Sequence, residues 1–284
     1  MSIKVENLSY IYNHNTPFEH SALKDINLEI DSKKIIAIVG ATGSGKTTLV
    51  QHFNALLLPS KGKLVINGKE ITSEQKPKGL KQLRKNVGLV FQFPEYQLFE
   101  ETILKDVAFG PRNFGASEEE ALALAKKYLN IVNIEESLFE RSPLDLSGGQ
   151  KRRVAIAGIL ALESETLVLD EPTAGLDPQG AYEMMQLFSH LNKVENKTVI
   201  IVTHDMEHVL QYCEEVIVLD KGEIQGHFSV SDFFNQRGLL KNLAIEMPAL
   251  IQLRERLIEY GFSNLETVLT MEELVLKVSQ EVAK

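Results

Sequence analysis

The chain has 284 residues and a net charge of -9; 44% of its residues are hydrophobic and 24% are charged. This composition is typical of an ordinary globular protein with room for one large α/β domain and a smaller appendage. The negative charge argues against a nucleic-acid-binding surface, and the single cysteine, Cys213, excludes an internal disulfide and a cysteine-cluster metal site.

No segment of the sequence has the pattern of a signal peptide or a membrane span. The first residues are polar and acidic where a signal peptide needs an apolar core. The longest apolar run, from Val154 to Leu162, is about half the length of a span and contains Gly158. If the protein works at a membrane, we expect another chain to provide the crossing.

Residues 1–36 alternate between apolar and polar side chains, which predicts antiparallel strands joined by a polar turn at Asn13–Pro17. Tyr10 and Tyr12 lie near the end of the first strand. Either ring has the chemistry to stack on a purine, and ordinary sheet packing is the alternative for both.

A phosphate-binding loop is predicted between an apolar strand at 34–39 and a helix that begins at Thr48 and stops before Pro59. Its glycines let the backbone curl so that N–H groups point at phosphate oxygens, and the helix adds its positive end. Lys46 can reach the β- and γ-phosphates, and Thr47 can ligate Mg²⁺. We expect ATP to be bound by Thr48 and the eight loop residues Gly40, Ala41, Thr42, Gly43, Ser44, Gly45, Lys46 and Thr47. A glycine-rich turn that binds nothing is the alternative.

Strands and helices then alternate, which predicts a mostly parallel sheet with its strand ends along one edge. A strand at 63–68 enters an Asn-Gly turn, and residues 72–83 read as a surface loop with a short helix. The other expected strands are 86–92, 166–170, 198–203 and 216–220. Beyond residue 226 we expect a small helical appendage with apolar stripes at 248–260 and from Thr270, which form either its own core or a partner surface.

Two carboxylates follow the strand at 166–170. In a phosphate-loop ATPase, Asp170 would hold Mg²⁺ and Glu171 would polarise the attacking water. A run ending in Asp-Glu is usually structural on its own, but the phosphate loop makes the functional interpretation the stronger one.

A second anion site is predicted from backbone amides and a hydroxyl at the start of another helix, at Leu146-Ser147-Gly148-Gly149-Gln150. One phosphate loop does not need it, so it should serve a nucleotide held by another subunit. This string is the signature of the ATP-binding-cassette (ABC) ATPases, and over about residues 1–226 the sequence resembles that family.

The resemblance implies a P-loop NTPase of the ABC type: an α/β fold with a mixed-sheet core, an antiparallel β subdomain and a helical signature subdomain at about 93–163. It also implies that Gln92 contacts Mg²⁺ and the water, that Asp177 lies in a loop crossing the dimer interface, that His204 contacts the γ-phosphate and that Tyr12 stacks on adenine. We divide the chain into an ATPase domain at 1–226 and a helical extension at 227–284, a candidate dimerisation region.

Further strings resemble one branch of the family, the ATPases of energy-coupling factor (ECF) transporters. They are Phe91–Thr102, Asp106–Pro111 and Arg152–Gly158. These transporters use two related ATPases, and the strings Gln92–Thr102 and Asp170–Pro178 resemble the second type, called A′. The resemblance implies an ATP-hydrolysing subunit that powers import of vitamins or other micronutrients. It further implies a cytoplasmic, peripheral location at the cell membrane.

The resemblance also implies partners: a second homologous ATPase in a heterodimer, a transmembrane scaffold protein and, indirectly, small substrate-binding membrane subunits, with no nucleic acid. We expect two cassettes to close head to tail around two ATP molecules. The aromatic and acidic segment Phe93–Glu101 is a candidate docking groove for a basic helix of the scaffold, and a solvated loop is the alternative.

Other kinds of cassette protein match the sequence less well. Repair cassettes insert a long coiled coil, and translation factors carry two cassettes in one chain, so neither matches this sequence. A regulatory cassette that does not hydrolyse ATP would be expected to lose Lys46, Glu171 or His204. The ATPase of another kind of ABC importer remains the closest alternative, and the extension at 227–284 disfavours it.

Overall fold

The computed structural model describes residues 3–73 and 79–283, so the expected loop at 72–83 falls partly outside the described residues. The strands are β1 (Ile3–Tyr12), β2 (His20–Ile30), β3 (Ile35–Val39), β4 (Lys61–Ile66), β5 (Lys69–Thr72), β6 (Val87–Val90), β7 (Thr166–Asp170), β8 (Thr198–Val202), β9 (Glu215–Asp220) and β10 (Glu223–Ser229). The helices are α1 (Lys46–Phe53), α2 (Leu80–Asn86), α3 (Ile103–Asn113), α4 (Glu118–Ile131), α5 (Gly148–Leu160), α6 (Pro178–Lys193), α7 (Met206–Tyr212), α8 (Val230–Phe234), α9 (Arg237–Asn242), α10 (Ala249–Glu259) and α11 (Met271–Val282).

An antiparallel sheet is formed in the described residues by strands in the order β2-β1-β4-β5. The predicted pairing of the first two strands is confirmed, and it places Tyr12 opposite His20. The predicted turn between β4 and β5 is also confirmed, with positive φ at Asn67 and Gly68.

A mixed sheet has the strand order β10-β9-β3-β8-β7-β6 in the part of the chain that is described. Its neighbours pair in parallel except β10, which runs antiparallel to β9. Every residue of β3, β7 and β8 is buried, as expected for strands covered on both faces. The carboxyl ends of these strands share one edge, so the predicted clustering of strand ends is confirmed.

The helices α3, α4 and α5 pack together and against the sheet. Ser117 begins α4 with a reciprocal capping box in which its hydroxyl accepts from the Glu120 amide and its own amide donates to the Glu120 carboxylate. Their apolar faces, with residues such as Val107, Ala125 and Val154, form one core with the sheet. No helix within residues 3–73 and 79–283 is both long and apolar enough to span a bilayer.

The carboxyl-terminal part is partly continuous with the sheet. Strand β10 crosses the expected boundary between residues 226 and 227. Beyond it, Phe233, Phe234 and Ile251 share a core with Ala37 and Val39 of β3. The apolar stripes at 248–260 and after Thr270 are helices, whereas β10, α8 and α9 had no counterpart in the sequence analysis.

Candidate nucleotide site

The loop between β3 and α1 can be built only with glycine at two of its positions. Gly40 has φ +151, and a Cβ there would overlap the carbonyl oxygen of Leu219. Gly45 has φ +104, and a Cβ there would lie 2.7 Å from the carbonyl oxygen of Ala22. The loop is therefore pressed against β2 and the end of β9, with Gly43 on an open side.

Lys46 lies across this loop. Its Nζ donates to the carbonyl oxygens of Gly40, at 2.8 Å, and Ala41, at 2.9 Å. Burial lowers the pKa of Lys46, and the carboxylates of Glu171 and Asp170 oppose that shift. The same donors can serve phosphate oxygens, which make stronger, charge-assisted hydrogen bonds than carbonyls.

A groove of about 210 Å³ runs from the loop to the antiparallel sheet, lined by Tyr12, His20, Ala22, Gly43, Gly45, Lys46, Thr47 and Thr48. Tyr12 is anchored to α1 because its hydroxyl lies 3.2 Å from Thr48 Oγ1. Tyr10 packs edge-on against Tyr12 and the buried His52, with ring centroids 4.8 and 4.9 Å apart. Tyr12 therefore lines the groove, and Tyr10 braces it.

His20 and Ala22 belong to the groove but were not singled out from the sequence. His20 faces Tyr12 across the β1–β2 pair. Their place in the groove depends on the register in which β1 pairs with β2. The sequence of the turn at Asn13–Pro17 does not fix that register, so these two residues could not be identified in advance.

An oxygen-rich position lies beside the loop. Thr47 Oγ1 donates to Asp170 Oδ2 at 2.7 Å, and Asp170 is 2% exposed. Burial raises the pKa of Asp170, while the Thr47 hydrogen bond opposes that shift. Hydroxyl and carboxylate oxygens are the ligands that Mg²⁺ prefers, and Mg²⁺ usually takes few protein ligands together with phosphate. Within the described residues no cluster of three or more His, Cys, Asp or Glu could hold a metal by itself.

Glu171 and His204 form a pair at the same edge. His204 Nδ1 lies 2.9 Å from Glu171 Oε1, and the side chains are 80% and 15% exposed. Glu171 has φ +51, a left-handed conformation that is uncommon for residues other than glycine, and its amide donates to Val202. Such local strain clusters at functional sites.

The signature residues begin α5. Ser147 and Gln150 form a reciprocal capping box: the Ser147 hydroxyl accepts from the Gln150 amide, and the Gln150 side chain accepts from the Ser147 amide. The amides of Gly148 and Gly149 are at the helix start, where they have no partner within the helix. This end of α5 is exposed and fits an anion.

Some expected site residues are not joined to the loop within this chain. Among the described residues, no hydrogen bond or ion pair connects Gln92, Asp177 or the signature to residues 40–47. Gln92 is exposed, two residues beyond β6. Asp177 caps α6 by accepting from the Gly180 amide at 3.2 Å.

Comparisons with known proteins agree with this geometry. The ABC transporter family model matches residues 23–174. The chain is 51% identical over 284 residues to the energy-coupling factor transporter ATP-binding protein EcfA2 of Enterococcus faecalis, covering 99% of this chain and 98% of the relative. The EcfA2 protein of Spiroplasma kunkelii is 51% identical over 280 residues, which cover 98% of this chain and 92% of the relative.

Two solved structures resemble the fold. One is cbiO1 from Clostridium perfringens, described as part of the ABC transporter complex cbiONQ, with 39% identity and a TM-score of 0.72 over 89% of this chain and 98% of that one. The other is the dimeric ATP-binding cassette MJ0796 bound to ADP and phosphate, with 32% identity and a TM-score of 0.72 over 80% of this chain and 98% of that one.

Proposed function

This chain belongs to the ABC transporter family, and we infer that it is the ATP-hydrolysing subunit of an ECF-type importer. The observation that supports this chemistry is that three segments meet at one edge of the sheet: the phosphate loop, the end of β7 and the end of β8. There Lys46 and Thr47 lie beside Asp170, and Glu171 lies beside His204. The similarity to EcfA2 proteins over nearly the whole chain supports the transporter class.

The loop holds the phosphates of ATP in this proposal. Lys46 exchanges its two carbonyl acceptors for phosphate oxygens, and the amides at the start of α1 add to the positive field. Tyr12 stacks on the adenine at the far end of the groove. Thr48 connects the phosphate end of the groove to its adenine end, because it follows the loop directly and its hydroxyl is within hydrogen-bond distance of the Tyr12 hydroxyl.

Mg²⁺ would be held by Thr47, with Asp170 and Gln92 supporting it. When bound, the ion neutralises the phosphate charge. Glu171 accepts a proton from the attacking water, and His204 orients the Glu171 carboxylate through its Nδ1. Since the His204 ring is largely exposed, it can also turn toward the γ-phosphate.

We assign the exposed signature to the ATP of a second subunit. Among the described residues, no hydrogen bond joins the phosphate loop to the groups at the start of α5, which are the amides of Gly148 and Gly149 and the hydroxyl of Ser147. Head-to-tail closure of two cassettes would bring these signature groups to the ATP bound by the other subunit, and Asp177 would lie in the interface. We propose a related second ATPase as the partner and the extension at 227–284 as a further contact, because Met271, Val275, Leu276 and Val282 of its last helix are exposed.

The segment Phe93–Glu101 is the proposed docking site for the transmembrane partner. An apolar cavity of about 290 Å³ lies under it and is lined in part by Phe99 and Phe109, whose rings meet edge-on with centroids 4.8 Å apart. Asp106 holds the segment by accepting from the amides of Phe99 and Glu100, both at 2.8 Å. With Tyr96 85% exposed and three glutamates nearby, the site fits a basic amphipathic helix.

In this proposal, the partner proteins determine both the cellular location of this chain and the solute that is transported. The chain would sit at the cytoplasmic face of the membrane through its scaffold, and the small subunits would select vitamins or other micronutrients. A mild-detergent pull-down from native membranes, with mass spectrometry of the captured chains, tests this. We expect a second ATPase, a scaffold and several small membrane proteins. Recovery of a dedicated permease pair with a soluble binding protein would contradict the ECF assignment.

A further inference from the structure

Arg152 is a buried charge in the second turn of α5. Its side chain is 3% exposed, and its Nε lies 3.6 Å from Glu95 Oε2. Its guanidinium carbon lies 5.7 Å from the centre of the Phe93 ring. Both neighbours belong to the docking segment Phe93–Glu101, so this guanidinium is one of the contacts between the signature helix and that segment.

The same guanidinium meets the turn that follows Glu171. A Cβ placed on Gly175 would lie 3.5 Å from Arg152 Nη1. In that turn Leu176 packs on the signature, since a Cβ placed on Gly149 would lie 3.7 Å from Leu176 Cδ2. Arg152 therefore lies where the docking segment, the signature helix and the turn before α6 come together.

The hydrogen bonding of this cluster is incomplete. Within residues 3–73 and 79–283, Arg152 Nε and Nη2 and Glu95 Oε2 are buried without a hydrogen-bond partner. Burial lowers the pKa of Arg152, while Glu95 and Glu171 oppose that shift. An apolar side chain would fill such a position as well or better if packing were its whole role. A loose ion pair at 3.6 Å can instead shorten when its neighbours move.

We propose that Arg152 is a positioning residue that couples docking of the membrane partner to the ATP site. Displacement of Phe93 and Glu95 shifts the guanidinium, which moves α5 and the turn at Gly175. The Gly148 and Gly149 amides, at the start of the same helix, move with it. The inference rests on the proposed function, because it requires ATP to be hydrolysed at a site completed by the signature.

The test uses the assembled transporter and four variants: Arg152→Met, Arg152→Lys, Glu95→Gln and the Arg152→Met/Glu95→Gln double variant. Lys193→Met, at an exposed position on α6, is the control for loss of one positive charge. We expect Arg152→Met to lower kcat about tenfold while the Kd for ATP changes less than about twofold, since Arg152 does not contact the phosphate loop. The lysine variant should recover part of the turnover.

The double variant tests the pair itself. If Arg152 acts through Glu95, the double variant should be no slower than the slower single variant. If Arg152→Met fails to fold, Glu95→Gln carries the test, and it should reduce the stimulation of turnover by the membrane partner.

An unchanged kcat in Arg152→Met would overturn the inference. So would parallel losses of ATP affinity, kcat and thermal midpoint, which indicate a structural role. Different results would contradict the proposed function itself: a wild-type complex that does not hydrolyse ATP, or normal turnover in Glu171→Gln.

Discussion

The hydroxyl of Thr47 and the carboxylate of Asp170 are in hydrogen-bond contact at 2.7 Å, although 123 positions separate them in the chain. Two neighbouring parallel pairings, β3 with β8 and β8 with β7, bring these residues to one edge. The contact joins the start of α1 to the end of a buried strand. The proposed function places Mg²⁺ beside this contact.

Replacing Asp170 with Asn tests that position. The amide keeps the size of the side chain but loses the charge, so we expect the Mg²⁺ concentration for half-maximal hydrolysis to rise about 10- to 100-fold. Mg²⁺ titration of ATPase activity measures this. Asp25→Asn, in an exposed part of β2, is the matched control; an unchanged Mg²⁺ requirement in Asp170→Asn would contradict the assignment.

Glu171→Gln should abolish most turnover and retain ATP. Loss of a general base typically costs about 10²- to 10⁴-fold in rate, whereas the phosphate loop is untouched. Single-turnover hydrolysis and equilibrium ATP binding separate the two effects. Glu119→Gln, exposed in the first turn of α4, should behave as wild type. Near-normal hydrolysis in Glu171→Gln would remove Glu171 from the base role.

Tyr12 and Tyr10 are expected to respond differently to substitution. Tyr12→Ala should weaken ATP binding about 5- to 150-fold, because base stacking on an aromatic ring contributes about 1–3 kcal/mol. Binding of inorganic tripolyphosphate should be unchanged. Tyr10→Ala should reduce thermal stability more than affinity, since Tyr10 packs on His52. The reverse pattern would make Tyr10 the stacking residue.

His52 predicts a pH-dependent stability. Burial lowers its pKa to about 4 from the ordinary 6.5, and the Thr48 carbonyl, 2.7 Å from Nδ1, opposes this shift. The unfolded state therefore binds the proton more readily. Neutral His52 therefore contributes to the free energy of unfolding, and this contribution is complete above about pH 6.5. It declines as the pH falls toward 4, and the loss between pH 7 and pH 5 is about 2 kcal/mol.

Urea unfolding at pH 7 and 5 measures that decline. His52→Leu, which does not titrate and is similar in size, should lose about 2 kcal/mol less than wild type over this interval. Equal losses in the two proteins would show that His52 does not contribute to the pH dependence.

The site residues that could be predicted from the sequence are those that lie in short contiguous motifs. Each buried strand is marked by an apolar run, and the chemical residue follows it directly, as Asp170 follows Leu169. The parallel order of the strands then brings the strings together. This explains why the fold class and the edge that carries the motifs could be predicted.

Contacts between distant segments gave no such signal. His20 reaches the groove only through the register of a hairpin, and Arg152 meets Glu95 and Gly175 through tertiary packing. Strand β10 was also missed, because its residues alternate between exposed and half-buried and Gly226 interrupts them. At such edge positions, neighbours rather than local pattern decide the structure.

The cover that Phe233, Phe234 and Ile251 provide for Ala37 and Val39 bears on the order of synthesis. Strand β3 leads directly into the phosphate loop, yet one of its faces is closed by residues that leave the ribosome much later than the strand itself. A nascent chain that has already exposed the loop still lacks that apolar cover. Strand β3 can reach its final packing only once Phe233, Phe234 and Ile251 have emerged, so part of this face stays uncovered while the intervening chain is made.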